Sequence, residues 1–134
     1  MKALDTNVLV QFLVADDPSI ATKVARMFAE ADERHDPFLV TTLVLVETLW
    51  VLKARYRLSR EDILDALEAL IRMPALQFES PGRASELIRL GRSTRLGLGD
   101  ALIGLCARDL GCESTLTLDK KAAECDLFEE IVPD

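Results

Sequence analysis

Residues 1–14 read MKALDTNVLVQFLV, and the reading of this stretch decides the fold. Lys2 to Leu4 is a short apolar strand that ends at Asp5. Apolar residues then recur at helical spacing from Asn7 to Val14, until Asp16-Asp17-Pro18 closes the run. A strand feeding directly into a helix is the repeating unit of a layered α/β protein. The rest of the chain continues the alternation. Ser19 is a natural N-cap for a helix to about Ala31, with Ala21, Val24, Ala25 and Phe28 on one face. Phe38 to Val40 is a second strand, and Thr42 caps an apolar helix to about Tyr56. Ser59 opens a helix carrying Ile63, Leu64, Leu67, Leu70 and Ile71, with Asp62 in the capping-box position. Leu76 to Phe78 is a third strand, and Pro81 starts a helix to about Gly91. After Gly97 and Gly99 a helix runs from Ala101 to Leu110 and stops at Gly111. Ser114 to Leu118 is a strand, Lys120 to Cys125 a short helix, and Glu129 to Val132 a last edge strand. The expectation is an α/β protein with a mostly parallel sheet, built as a single domain over residues 1–134.

Composition narrows the function. The chain has 134 residues, 49% hydrophobic and 29% charged, as in an ordinary folded globule. No secretory signal and no membrane-length apolar run is present, so a soluble, cytoplasmic protein is expected. Cys106, Cys112 and Cys125 form no metal-binding spacing and read as reduced, buried thiols. His35 is the only histidine, in a polar turn, which argues against a Ser-His-Asp or Cys-His nucleophile and against histidine-rich zinc.

Four carboxylates remain. Asp5 follows the first strand, where sites form at the carboxyl edge of parallel sheets, although it also suits an N-cap. Glu47 is the only charge in LVLVETLWVL, residues 43–52, on a face shared with Leu43, Trp50 and Val51. A carboxylate within so apolar a helix is costly to bury unless a cation or hydrogen-bond donors offset it, or it lies on a narrow exposed strip. Asp100 lines up with Ile103 and Ala107 on what reads as the inward stripe of its helix, with N-capping as the plain alternative. Asp119 follows the late strand and also suits a cap. Four such acids in a chain nearly free of histidine fit one site. Oxygen ligands suit hard cations such as Mg²⁺ or Mn²⁺, and such clusters typically serve phosphodiester hydrolysis.

Asp5-Thr6-Asn7-Val8-Leu9, the Glu47 helix, Asp100-Ala101-Leu102-Ile103 and Thr117-Leu118-Asp119 resemble, in order and spacing, the four acidic motifs of PIN-domain proteins. The size resembles the VapC-type toxins of toxin–antitoxin pairs. The resemblance implies a three-layer α/β/α sandwich, Mg²⁺- or Mn²⁺-dependent endoribonuclease activity on RNA, a homodimer and a cognate antitoxin. It implies Asp5 and Asp100 as principal metal ligands and catalytic residues, Glu47 and Asp119 completing the acidic site, and Asn7 and Thr117 supporting it by hydrogen bonds. One departure is visible: many relatives carry an aromatic residue after the fourth motif, where this chain has Lys120-Lys121-Ala122-Ala123.

The net charge of −7 opposes a nucleic-acid partner taken alone. Four of those charges belong to the candidate acids, however, and divalent ions held there would reverse the local field. Lys53, Arg55, Arg57 and Arg60 form one basic group, and Arg89, Arg92 and Arg95 another. Both read as RNA-backbone contacts or as solvated helix faces. The apolar helices Leu43–Leu52 and Ile63–Ile71 carry a surplus that suits core burial or an interface. The competing function is a non-catalytic PIN-like protein that acts with its partner as a repressor. A receiver-type phosphoacceptor lacks its paired first-strand acids, and a haloacid-dehalogenase-like phosphatase would need Asp where Asn7 stands.

Overall fold

The computed structural model describes residues 1–134, which divide into two compact units, Met1–Pro81 and Gly82–Asp134. In the first unit the extended segment Lys2–Leu4 lies parallel to β1 (Phe38–Val40), joined by Leu39 N–H to Lys2 O at 2.9 Å and Leu4 N–H to Leu39 O at 3.0 Å. On its other side β1 pairs in parallel with β2 (Leu76–Phe78), placing Val40 opposite Phe78. Parallel neighbours need long crossovers, and helices supply them. α1 (Thr6–Val14) and α2 (Pro18–Glu33) lie between the first two extended segments in sequence, and α3 (Thr42–Ala54) and α4 (Arg60–Ile71) between β1 and β2.

The helix starts follow from local chemistry. Asp17, not Ser19, caps α2: its carboxylate accepts from Ser19 N–H at 3.1 Å and Ile20 N–H at 3.4 Å. Pro18 takes the first helical position, where a missing N–H costs nothing. The Ser19 hydroxyl also donates to Asp17, and this bond is the main reason that carboxyl is held below its ordinary pKa. Likewise Thr41 rather than Thr42 caps α3, accepting from Val44 N–H at 3.3 Å. Ser59 caps α4 as its sequence predicts, with Asp62 N–H at 3.1 Å.

The core of this unit takes Leu9 and Val10 from α1, Val24 and Phe28 from α2, Leu45, Leu49 and Leu52 from α3, and Ile63, Leu64, Leu67 and Leu70 from α4. Each such side chain contributes about 1.5–3 kcal/mol when fully buried. Phe28 stacks obliquely between Phe12, at 4.8 Å between ring centroids, and Phe38, at 5.8 Å. The apolar surplus expected on α4 is therefore absorbed. That of α3 is not, because Leu43 and Trp50 stand 82% and 68% exposed.

The second unit comprises α5 (Pro81–Ser93, beginning at the boundary), α6 (Leu98–Asp109), β3 (Thr115–Thr117), a 3-10 turn (Ala122–Glu124) and β4 (Phe128–Glu130). β3 and β4 are parallel, with Thr115 opposite Phe128. Leu87, Leu90, Ala101, Leu102 and Leu105 form its core. Arg83 Nε donates to Asp109 Oδ2 at 2.8 Å, tying the start of α5 to the end of α6. Gly104 lets α6 approach β4 closely: a Cβ there would lie 2.9 Å from Leu127 Cβ and 3.0 Å from the Phe128 ring.

The α/β class with parallel strands is as the sequence predicts. The cysteines are free thiols but less buried than expected, with Cys112 exposed and Cys106 and Cys125 half-buried. No helix is long and apolar enough to cross a membrane.

Candidate active site

Asp5 and Glu47 belong to the first unit, Asp100 and Asp119 to the second. Asp5 leaves the Lys2–Leu4 segment in extended conformation and caps α1, its Oδ1 accepting from Thr6 N–H at 2.7 Å. The capping alternative is thus realised, and it engages one oxygen. No hydrogen bond engages Oδ2, and the residue is exposed. Thr6 is 2% exposed and fixes the chain at this corner. Asn7 is exposed, and its side chain makes no hydrogen bond to an acid.

Glu47 corrects an expectation. Leu45, Thr48, Leu49 and Leu52 make the inward face of α3, and Thr48 satisfies its hydroxyl by donating to Val44 O at 2.7 Å. Glu47 stands on the opposite face with Leu43, Val46 and Trp50, all exposed. The face it shares with Leu43 and Trp50 is real, but that face points to solvent. An exposed carboxylate among apolar side chains keeps its charge without the penalty of full burial.

Asp100 corrects a second. The inward side of α6 is Ala101, Leu102 and Leu105, whereas Asp100 is exposed and Ile103, in line with it, is 57% exposed. Nor is Asp100 an N-cap. Gly97 holds that position without a side-chain bond, and Asp100 is the third residue of the helix. An acid in the first turn is favoured by the partial positive charge of the helix start. Its carboxylate folds back over Gly97, where an added Cβ would meet Oδ2 at 3.2 Å. Gly97 is a seat that sequence reasoning credited only as a turn; a glycine three residues before an acid is the signal that marks it.

Asp119 lies two residues beyond β3. Its N–H donates to Thr117 Oγ1 at 3.0 Å, and its Oδ1 accepts from Lys121 N–H at 2.9 Å. Thr117 therefore orients Asp119 through the backbone, and Lys121, unnoticed in the sequence, completes the turn.

The donor chemistry of these four residues is uniform: carboxylate oxygens, exposed, with no thiolate or imidazole among them. Such donors fit a hard divalent cation, which also retains water ligands. Neither unit by itself gathers three or more His, Cys, Asp or Glu side chains into a cluster that could hold a metal ion.

Comparison with known proteins agrees with the motif order. The PIN domain family matches residues 2–126, a span that includes all four acids. The chain is also similar to the VapC ribonuclease of Aquifex aeolicus (strain VF5), 25% identical over 121 residues that cover 90% of this chain and 89% of that protein. No solved structure matches. With the family spanning nearly its full length, the chain belongs to the PIN-domain proteins.

Proposed function

We propose that this protein is an endoribonuclease dependent on Mg²⁺ or Mn²⁺, the toxin of a toxin–antitoxin pair. The observation that carries the reading is the family match across residues 2–126, joined to a relative of equal extent that is named a ribonuclease. On this reading the two units work as one nuclease domain. RNA is the substrate, a cognate antitoxin protein restrains the activity, and the protein acts as a homodimer in the cytoplasm.

Asp5 and Asp100 would be the principal metal ligands, with Glu47 and Asp119 completing the catalytic acids. A bound divalent ion would supply activation of water and neutralisation of the charge that develops on the cleaved phosphodiester. The chain's own residues provide the framework. Thr6 N–H fixes one oxygen of Asp5 and leaves the other available. Thr117 and the Lys121 amide hold Asp119 in a defined turn. Asn7, exposed one turn into α1, is available to bond to substrate or to a metal-bound water's surroundings rather than to an acid.

The test is cleavage of a mixed structured-RNA pool by partner-free protein with Mg²⁺, Mn²⁺ or EDTA, beside Asp5→Asn and Asp100→Asn. Metal-dependent cutting is expected, with each substitution lowering the rate at least about a hundredfold. Cutting that survives EDTA or both substitutions would refute the acid-based mechanism.

A further inference from the structure

The second unit is acid-rich, yet four of its basic residues, Arg89, Arg95, Arg108 and Lys121, line two adjoining clefts at the end of α5. Ser93, Thr94, Glu124 and Cys125 are common to both clefts, and the one holding Arg95 and Lys121 encloses about 490 Å³. The four cations are not equivalent. Arg89 is bound to Glu86 through Nε and Nη2, and this contact holds the Glu86 carboxyl below its ordinary pKa. Arg108 also acts on Glu86, through its field. Arg95 and Lys121 are exposed and make no hydrogen bond or ion pair with any protein group.

The end of a helix normally repels an anion, because its last carbonyls carry partial negative charge. At this end the carbonyls are engaged. Ser93 Oγ donates to Arg89 O at 2.8 Å, Thr94 Oγ1 to Leu90 O at 2.7 Å, and Thr94 N–H to Leu90 O at 2.9 Å. Unpaired ammonium and guanidinium groups facing a roomy cleft, beside neutralised carbonyls, form a surface suited to a phosphodiester.

We propose that Arg95 and Lys121 bind a backbone phosphate of the RNA, at the cleft between the end of α5 and the 3-10 turn. The inference rests on the nuclease reading and deepens it. Lys121 is bonded through its own N–H to Asp119, and Arg95 opens the loop leading to Asp100, so the phosphate contact is coupled through short backbone segments to two of the candidate acids. Glu124, the acid in this cleft, opposes the bound phosphate and sets an upper bound on its affinity.

The experiment measures binding of a short fluorescein-labelled single-stranded RNA by anisotropy, in EDTA to prevent cutting, across a range of salt concentrations. Arg95→Ala/Lys121→Ala is compared with Lys23→Ala/Arg26→Ala, which removes equal charge from exposed positions on α2. The cleft variant is expected to bind roughly tenfold more weakly, and its log–log salt slope to fall by about 1.4, for two lost contacts on a single strand. Glu124→Gln is expected to tighten binding about twofold. Arg95→Gln/Lys121→Gln, which keeps the side-chain stems, should reproduce the loss if charge is its cause. Equal weakening by the cleft and α2 variants, in a wild type that binds and cuts RNA, overturns the cleft and leaves the nuclease standing. A wild type that neither binds nor cuts RNA overturns both.

Discussion

The acids that follow extended segments and the acids on helices are held in opposite ways. Asp5 and Asp119 each spend one oxygen on an adjacent backbone N–H, so the local chain dictates where the other oxygen points. Glu47 and Asp100 project from α3 and α6 without a hydrogen-bond partner. The first pair is oriented at the cost of serving local structure as well. The second is free to swing, and its position depends on the helices and on whatever it binds. A cation would thus meet two pre-oriented oxygens and two adaptable ones, a combination that suits an ion with exacting geometry and retained waters.

Stability measurements can break this distinction most directly. Asp5→Ala removes the α1 cap and should cost about 1 kcal/mol in urea denaturation, whereas Glu47→Ala should stay within about 0.5 kcal/mol of wild type. Equal losses would mean that Glu47 also serves the fold. A smaller effect is expected at Thr117→Val, which deprives the Asp119 amide of its acceptor. The cost should be about 0.5–1 kcal/mol, with the Asp119 amide proton exchanging faster by NMR. The smallest effect concerns pH. Asp17 is a backbone-bonded acid like Asp5, and its folded pKa lies below the ordinary value of 3.8, chiefly through the Ser19 hydroxyl. A depressed carboxyl contributes stability that is full above the unfolded pKa and is lost as pH falls through the folded one. Asp17→Asn should flatten that acid limb slightly, and an unchanged limb would show that this cap titrates as a free carboxyl.

Much of this was legible in residues whose pattern has phase. Phe38–Val40 and Leu76–Phe78 stand between clear turns and form strands over those residues. The i, i+4 spacing of Ile63, Leu67 and Leu70 with Leu64 fixed the buried face of α4. Where apolar residues surround a helix, phase is lost. LVLVETLWVL supports several inward faces equally well, and only the packed structure reveals that Leu45, Leu49 and Leu52 won. Ile103 misled in the same way, drawing Asp100 toward a stripe that lies a third of a turn away. Cap positions slipped by one or two residues where two candidates adjoin, as with Asp17 and Ser19. A cap is decided by backbone conformation, which composition does not encode. The four acids were recognised by order along the chain, and their hydrogen bonds could not be read there, since a carboxylate that caps and one that coordinates are spelled alike.

Trp50, the sole tryptophan, stands 68% exposed one turn beyond Glu47 on α3. Its indole is therefore a built-in optical reporter, with red-shifted emission and easy access to iodide quenching in the free protein. Any molecule that settles over this face must dry the ring, moving the emission to the blue and shielding it from the quencher. A change of occupancy beside Glu47 can thus be followed in real time, in unlabelled protein, without knowing in advance what the occupant is.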